Sequence, residues 1–180
     1  MLRAARLRQV KAHLRAGGVI AYATESCFGL GCDPFNYLAV RRLLRLKRRP
    51  QQKGLIVIGA NFAQLQPLVA ELPADLRARA CAKWPGAHTW LMPARKSTPH
   101  WLRGRHENVA LRVPAHAGAR SLCKQSELPL VSTSANRSSR VSIKSHRECL
   151  RQFGNAVLVL AGRVGRRKRP STIAYLLTGE

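Results

Sequence analysis

Val19-Ile20-Ala21-Tyr22-Ala23-Thr24-Glu25-Ser26-Cys27-Phe28-Gly29-Leu30-Gly31 opens as a short apolar run and breaks abruptly into Thr24-Glu25-Ser26. A short apolar run bounded by turn residues fits a buried strand. Beyond it, Gly29 and Gly31 permit φ > 0 and close approach of the backbone to a ligand. Open α/β proteins place ligands where strands end in such small polar groups and glycines. The stretch therefore predicts a strand, a polar turn, a glycine turn and a ligand site.

Outward from this stretch, helices and strands alternate. Upstream, Leu7, Val10 and Leu14 recur at helical spacing within residues 4–16, and Gly17-Gly18 supply a stop. Downstream, Leu38, Val40, Leu43, Leu44 and Leu46 predict a helix over 37–46. A cationic loop at 47–54, a strand at 55–58 and a short helix at 62–69 follow. The next expectations are a helix near 74–83 ended by Trp84-Pro85-Gly86, a strand at 88–92 and a loop across 93–107. Residues 109–113 alternate, so Val109, Leu111 and Val113 face one side and Arg112 the other. A helix at 115–125, a strand at 128–132 and a Ser/Arg-rich loop at 132–144 come next, then a helix to residue 153 announced by Ser145-x-x-Glu148. A strand at 157–160, a basic loop at 162–170 and a strand at 171–176 close the chain. The alternation predicts an α/β fold, a mixed sheet flanked by helices. No internal repeat or linker interrupts it, so residues 1–180 are expected to form a single domain.

The chain carries 32 Lys and Arg against 8 Asp and Glu, a net charge of +24. A field of that sign draws polyanions, nucleic acid foremost. A general enrichment in Arg is the competing explanation, and the cations are too dispersed to mark one face. The apolar fraction of 46% supplies material for a core. No apolar run approaches the roughly 18 residues of a membrane-spanning helix. The start, Met1-Leu2-Arg3-Ala4-Ala5-Arg6, lacks the apolar segment of a secretory signal. Five scattered cysteines without a Cys-x-x-Cys pair, and six histidines without zinc-type spacing, fit reduced thiols in a cytoplasmic protein with no metal site.

Three groups of residues carry chemistry. Lys47, Arg49 and Lys53 flank Pro50 between a helix and a strand. A Lys point charge and an Arg fork on a stiffened loop suit a triphosphate or an RNA backbone, although a solvated basic loop is the plainer reading in a chain this basic. Arg112 stands alone in an apolar strand, where an unpaired guanidinium is costly. An edge strand or a structural ion pair would also accommodate it, but with so few acids in the chain the balance tilts toward an anionic ligand as its partner. Ser132-Thr133-Ser134-Ala135-Asn136 places hydroxyls and an amide at a strand end, as a ligand site or an ordinary Ser-rich turn would. A Walker phosphate loop, a complete Gly-x-Gly-x-x-Gly, a Gly-x-Ser-x-Gly elbow and a carboxylate pair for two metals are all missing. Any Mg²⁺ is therefore expected to arrive on the phosphates of a nucleotide.

Four stretches, in this order, resemble the YrdC/TsaC family, the bacterial threonylcarbamoyl-AMP synthases. They are Ala23-Thr24-Glu25-Ser26-x-Phe28-Gly29-Leu30-Gly31, Lys47-x-Arg49-Pro50-x-x-Lys53, Ser132-Thr133-Ser134-Ala135-Asn136 and Pro170-Ser171-Thr172-Ile173. Ala110-Leu111-Arg112-Val113-Pro114 and Trp84-Pro85-Gly86 match too, so the resemblance spans essentially the whole chain, at the length of the short form. It implies a twisted α/β sheet with a concave, positively charged surface. It also implies an enzyme that makes threonylcarbamoyl-AMP and pyrophosphate from L-threonine, bicarbonate and ATP. The product then serves a partner threonylcarbamoyl-transferase complex that modifies adenosine beside the anticodon of tRNA.

Carried over by motif, Lys47 and Arg49 would neutralise the nucleotide phosphates, with Lys53 lining the same pocket. Arg112 would face the threonine carboxylate or carbamate, and Thr24 would hold threonine. Ser132, Ser134 and Asn136 would bind threonine and nucleotide, Ser171 would close the site, and Asn108 would touch the nucleotide. Glu25 and Cys27 fall to structural roles. The chain departs from the family pattern at Ala23, usually Pro, at Ser139, commonly Gly, and at Ala174, often an acid. Two other readings stand beside this one. One is a non-catalytic protein binding double-stranded RNA or tRNA, or maturing rRNA. The other is a carbamoyl transferase of the hydrogenase-maturation type, which would need zinc-type cysteine pairs.

Overall fold

A computed structural model of the protein describes residues 3–136 and 141–179; Ser139 lies outside the described residues. Helix α1 (Ala4–Arg15) leads into strand β1 (Ile20–Ala23), which turns at once into β2 (Phe28–Gly31). Then come α2 (Tyr37–Lys47), a 3-10 turn at Gln51–Lys53, β3 (Ile56–Ile58), α3 (Phe62–Leu65) with a 3-10 turn at Gln66–Leu68, and α4 (Ala74–Ala82). Next are β4 (His88–Pro93), α5 (His100–Arg103), β5 (Asn108–Arg112) and α6 (Ala117–Ser126). The chain closes with β6 (Leu130–Ser134), α7 (His146–Phe153), β7 (Leu158–Val159) and β8 (Thr172–Tyr175).

All eight strands join one mixed sheet in the order β7-β1-β2-β6-β3-β5-β4-β8. Strand β6 links its halves. Thr133 and Ser134 pair with β2, whereas Leu130 to Ser132 pair with β3 on the other side. The expected α/β architecture is thus present. The expected glycine turn is not: Phe28-Gly29-Leu30-Gly31 is a strand antiparallel to β1, and neither glycine has positive φ. A Cβ on Gly31 would lie 2.6 Å from the Val131 carbonyl and 2.8 Å from the Tyr22 ring. The glycines provide space rather than unusual dihedrals. Within the expected loop at 93–107 the chain forms the short α5, and its Leu102 is buried.

Period-two alternation along the strands sorts two cores. Ala21, Ala23, Phe28, Leu30, Val57, Val109, Leu111 and Val131 pack on one face with α2, α4, α5 and α7. Ile20, Tyr22, Ile58 and Leu130 pack on the other face with Val10 and Leu14 of α1 and with Ala119, Leu122 and Cys123 of α6. Local chemistry fixes the helix starts. Asn36 accepts from the Ala39 N–H at the start of α2, and Ser145 accepts from the Glu148 N–H at the start of α7, as its capping pattern predicts. Two ion pairs form among the described residues, Lys11–Glu127 and Arg112–Glu25. Also among the described residues, no helix is long and apolar enough to cross a membrane.

Candidate functional site

Helices α1 and α6 leave part of their sheet face bare, and two adjoining cavities of about 320 and 340 Å³ open there. Arg49, Leu55, Ile56 and Ile173 line both, so they are two lobes of one groove. Strand register builds its floor. Ser132 pairs with Ile56, Ile56 with Ala110, Ala110 with Leu91, and Leu91 with Tyr175. Every residue of that row lines one lobe or both.

The first lobe is walled by Thr24, Glu25, Ser26 and Cys27 from the β1–β2 turn, Ser132 and Ser134 from β6, Arg112 from β5, and Pro170 and Ser171 from the segment before β8. The Thr24 hydroxyl donates to the Cys27 carbonyl at 2.8 Å and closes the turn. The segment before β8 is strapped over this turn, because Gly165 N–H donates to the Thr24 carbonyl and Arg167 N–H to the Glu25 carbonyl. The hydroxyls of Ser171 and buried Thr89 share a hydrogen bond of 2.9 Å. In the second lobe stand Lys53, Arg103, His106, Glu107, Asn108 and Tyr175. At the junction, Arg49 donates to the Gly54 carbonyl at 3.1 Å, and its Nε is buried without a partner among the described residues. Burial also lowers the pKa of Arg49.

Eight of the ten expected site residues therefore line the groove: Thr24, Arg49, Arg112, Ser132, Ser134 and Ser171 in the first lobe, and Lys53 and Asn108 beside Arg49 in the second. Lys47 and Asn136 stand behind the wall. Lys47 is not a loop cation but the last residue of α2, on the same helical face as Leu43 and Leu44, and that face carries it into the interior. Its ammonium donates to the carbonyl of Ser134, to the carbonyl of Asn136 at 2.9 Å and to Asn136 Oδ1 at 3.2 Å. The Ser134 hydroxyl donates to the same Oδ1. Burial, and secondarily the neighbouring Arg49, push the Lys47 pKa down to about 8, against an opposing pull from Cys27.

Arg112 has a partner within the protein, the structural ion pair rather than only the anionic ligand toward which the sequence tilts. Its Nη2 lies 2.6 Å from Glu25 Oε1, and its Nε donates to the Gly86 carbonyl at 3.0 Å. Sequence reasoning passed over Glu25 and Cys27 as structural, yet both line the first lobe. The available signal was an acid set between two hydroxyl residues in a chain with only eight acids. Among the departures, Ala23 is buried at the end of β1, where a Cβ on Gly162 would lie 3.1 Å from its own, and Ala174 is buried opposite Trp90. Among the described residues, no three His, Cys, Asp or Glu side chains gather into a metal-binding group.

Cations and hydroxyl donors thus line a groove on an α/β sheet, an arrangement that defines a binder of phosphate- or carboxylate-bearing small molecules. The family model for Sua5/YciO/YrdC proteins, described as telomere recombination, matches residues 12–180, and the chain belongs to that family. It is 55% identical over 174 residues to a threonylcarbamoyl-AMP synthase of Methylobacillus flagellatus, covering 97% of each chain. With the threonylcarbamoyl-AMP synthase of Chromobacterium violaceum it shares 51% identity over 97% of this chain and 91% of that one. Among solved structures, P. abyssi Sua5 complexed with L-threonine superposes with a TM-score of 0.89 at 31% identity. That match covers 98% of this chain and 52% of the other, so the chain spans about half the length of that protein. E. coli YciO, at 22% identity and a TM-score of 0.82, shares the fold.

Proposed function

We propose that this protein is an enzyme that makes threonylcarbamoyl-AMP and pyrophosphate from L-threonine, bicarbonate and ATP, working as one domain over residues 1–180. The observation that carries this reading is the two-lobed groove joined at Arg49, in a chain whose relatives of 51–55% identity bear that name. The reading as a non-catalytic RNA-binding maturation factor is not favoured by those relatives.

The free amine of threonine attacks bicarbonate and expels water, or attacks the CO₂ formed from bicarbonate by loss of water and gives up one proton, and either route leaves a carbamate. A carbamate oxygen then attacks the α-phosphorus of ATP, and the bond from that phosphorus to the bridging oxygen breaks to release pyrophosphate. Charge on the reacting groups is negative throughout, so cations and hydroxyl donors already in place provide the stabilisation required. Little proton transfer is asked of the protein, and positioning supplies much of the rest. Arg112, Thr24 and Ser132 hold threonine in the first lobe. Arg49 bridges carbamate and phosphates at the junction. Lys53 and Asn108 take the nucleotide in the second lobe, Ser134 of the first lobe meets threonine and nucleotide, and Ser171 closes the site. Lys47 and Asn136 set the 134–136 turn. ATP brings Mg²⁺ on its own phosphates, in keeping with the donor set of the groove. The surroundings of this reaction are the cytoplasm, a tRNA acceptor and a threonylcarbamoyl-transferase complex that receives the intermediate; the charge of +24 supports contact with RNA.

Pyrophosphate release from ATP by the purified protein tests the proposal. Release is expected only when threonine and bicarbonate are both present, and release indifferent to threonine would overturn it.

A further inference from the structure

Glu25 is the acid in the first lobe to which the reaction above assigns no part. A single oxygen, Oε1, meets three donors: Arg112 Nη2 at 2.6 Å, the Ala115 N–H at 2.7 Å and the His116 N–H at 3.2 Å. The side chains of Arg112 and Glu25 are only 13% and 12% exposed. Through its own carbonyl Glu25 also receives the Arg167 N–H of the strap at 3.1 Å. The guanidinium of Arg112 is thus held at two points, by the hydrogen bond from Nε to the Gly86 carbonyl and by close ionic contact of Nη2 with Glu25, and Nη2 is buried with no hydrogen bond among the described residues.

We propose that Glu25 is a positioning and selectivity residue for threonine: it fixes the direction in which Arg112 presents its remaining N–H groups and offsets its charge. This rests on the reading of the first lobe as the threonine site. A carboxylate beside an arginine meant for an anionic substrate weakens the Coulombic pull on that substrate. In exchange the pair discriminates. An uncompensated, part-buried guanidinium attracts bicarbonate, phosphate and pyrophosphate as well as an amino-acid carboxylate. A neutral ion pair retains only ligands that match the directions of its free donors. The two N–H groups of residues 115 and 116, on the same oxygen, keep the carboxylate from swinging with the arginine.

Charge and geometry separate in two variants. Glu25→Gln keeps an oxygen acceptor for all three donors and removes the charge. Glu25→Ala removes both. Threonine binding is measured by calorimetry without nucleotide, and inorganic phosphate and pyrophosphate are tested as competitors, with melting curves for each protein. Threonine is expected to bind the Gln variant roughly threefold to tenfold more tightly, with phosphate and pyrophosphate competing correspondingly better. For the Ala variant, binding is expected to weaken roughly tenfold or more, as Arg112 loses its fixed direction. Opposite shifts are the signature, because a merely structural glutamate moves melting temperature and leaves the threonine affinity of folded protein alone. Equal affinities in all three proteins, weaker binding by the Gln variant, or a Gln variant that does not fold would each overturn the role of Glu25. Wild-type protein that binds no threonine overturns the site assignment itself, which is a different result.

Discussion

The two lobes of the groove share a floor and differ in how their walls are held. In the first, nearly every polar side chain is already bound. Thr24 holds Cys27, Arg112 holds Glu25 and Gly86, Ser171 holds Thr89, and Ser134 sits on a turn pinned by Lys47. In the second, Lys53 and Asn108 have no side-chain hydrogen bond among the described residues, and the lobe is edged by half-exposed Ile173 and Tyr175. The difference fits a division of labour. On the proposed reaction, bonds to the carbamate and the α-phosphorus would form in the pre-organised half, where fixed donors lower the barrier. A flexible nucleotide can instead order the side chains of a looser half as it binds, and that ordering weakens affinity without touching the chemical step.

Substitutions should break the two lobes in different ways. Arg112→Ala carries the largest expected effect. It should lower kcat/KM for pyrophosphate release by roughly 10³ or more and destabilise the fold by about 2 kcal/mol, since part-buried Glu25 loses its cation and keeps only the Ala115 and His116 N–H groups. Retention of near wild-type turnover would remove Arg112 from the reaction. Lys47→Ala is expected to cost roughly 10²-fold in kcat, through the 134–136 turn that it pins.

Wild-type protein tests the same residue by pH. Activity should fall as pH rises through about 8, where Lys47 loses its proton. Stability responds with the opposite sign. The folded protein holds this proton less tightly than the unfolded chain does, so between about 8 and the ordinary 10.5 this group favours folding increasingly as pH rises. An activity profile flat through pH 8 would contradict the assignment. In the second lobe, Lys53→Ala and Asn108→Ala should raise the KM for ATP roughly tenfold with melting temperature unchanged, because neither side chain supports the fold. Equal losses of stability in both lobes would erase the contrast. The smallest effect is expected from Ser171→Ala, about 1 kcal/mol from the unpaired Thr89 hydroxyl and a few-fold rise in the KM for threonine.

Much of this was legible in the chain. Alternating apolar runs gave the strands, and the motifs at Thr24, Arg49, Ser132 and Ser171 brought together residues that do share a cavity. What escaped has identifiable causes. The β1–β2 hairpin was hidden because glycine signals a turn locally, whereas Gly31 is set by the Tyr22 ring and the β6 backbone packed against it, and Gly29 by the Thr24 methyl. The apolar period of α2 ends at Leu46, which leaves Lys47 looking like the first loop residue; one further helical residue puts its ammonium on the inner face. The partner of Arg112 was obscured because Glu25 is far from it in sequence, and only the fold brings the first turn to the end of β5.

The scarcity of ion pairs has a consequence for the medium in which the protein works. Only two form among the described residues of a chain with net charge +24, so like-charge repulsion acts across the folded surface with little internal neutralisation. Added salt shortens the range of that repulsion, to about 8 Å at physiological ionic strength. The native state should therefore melt at higher temperature as sodium chloride is raised, while its hold on any polyanion loosens over the same range. Ionic strength would then set a balance between a more durable protein and a more adhesive one.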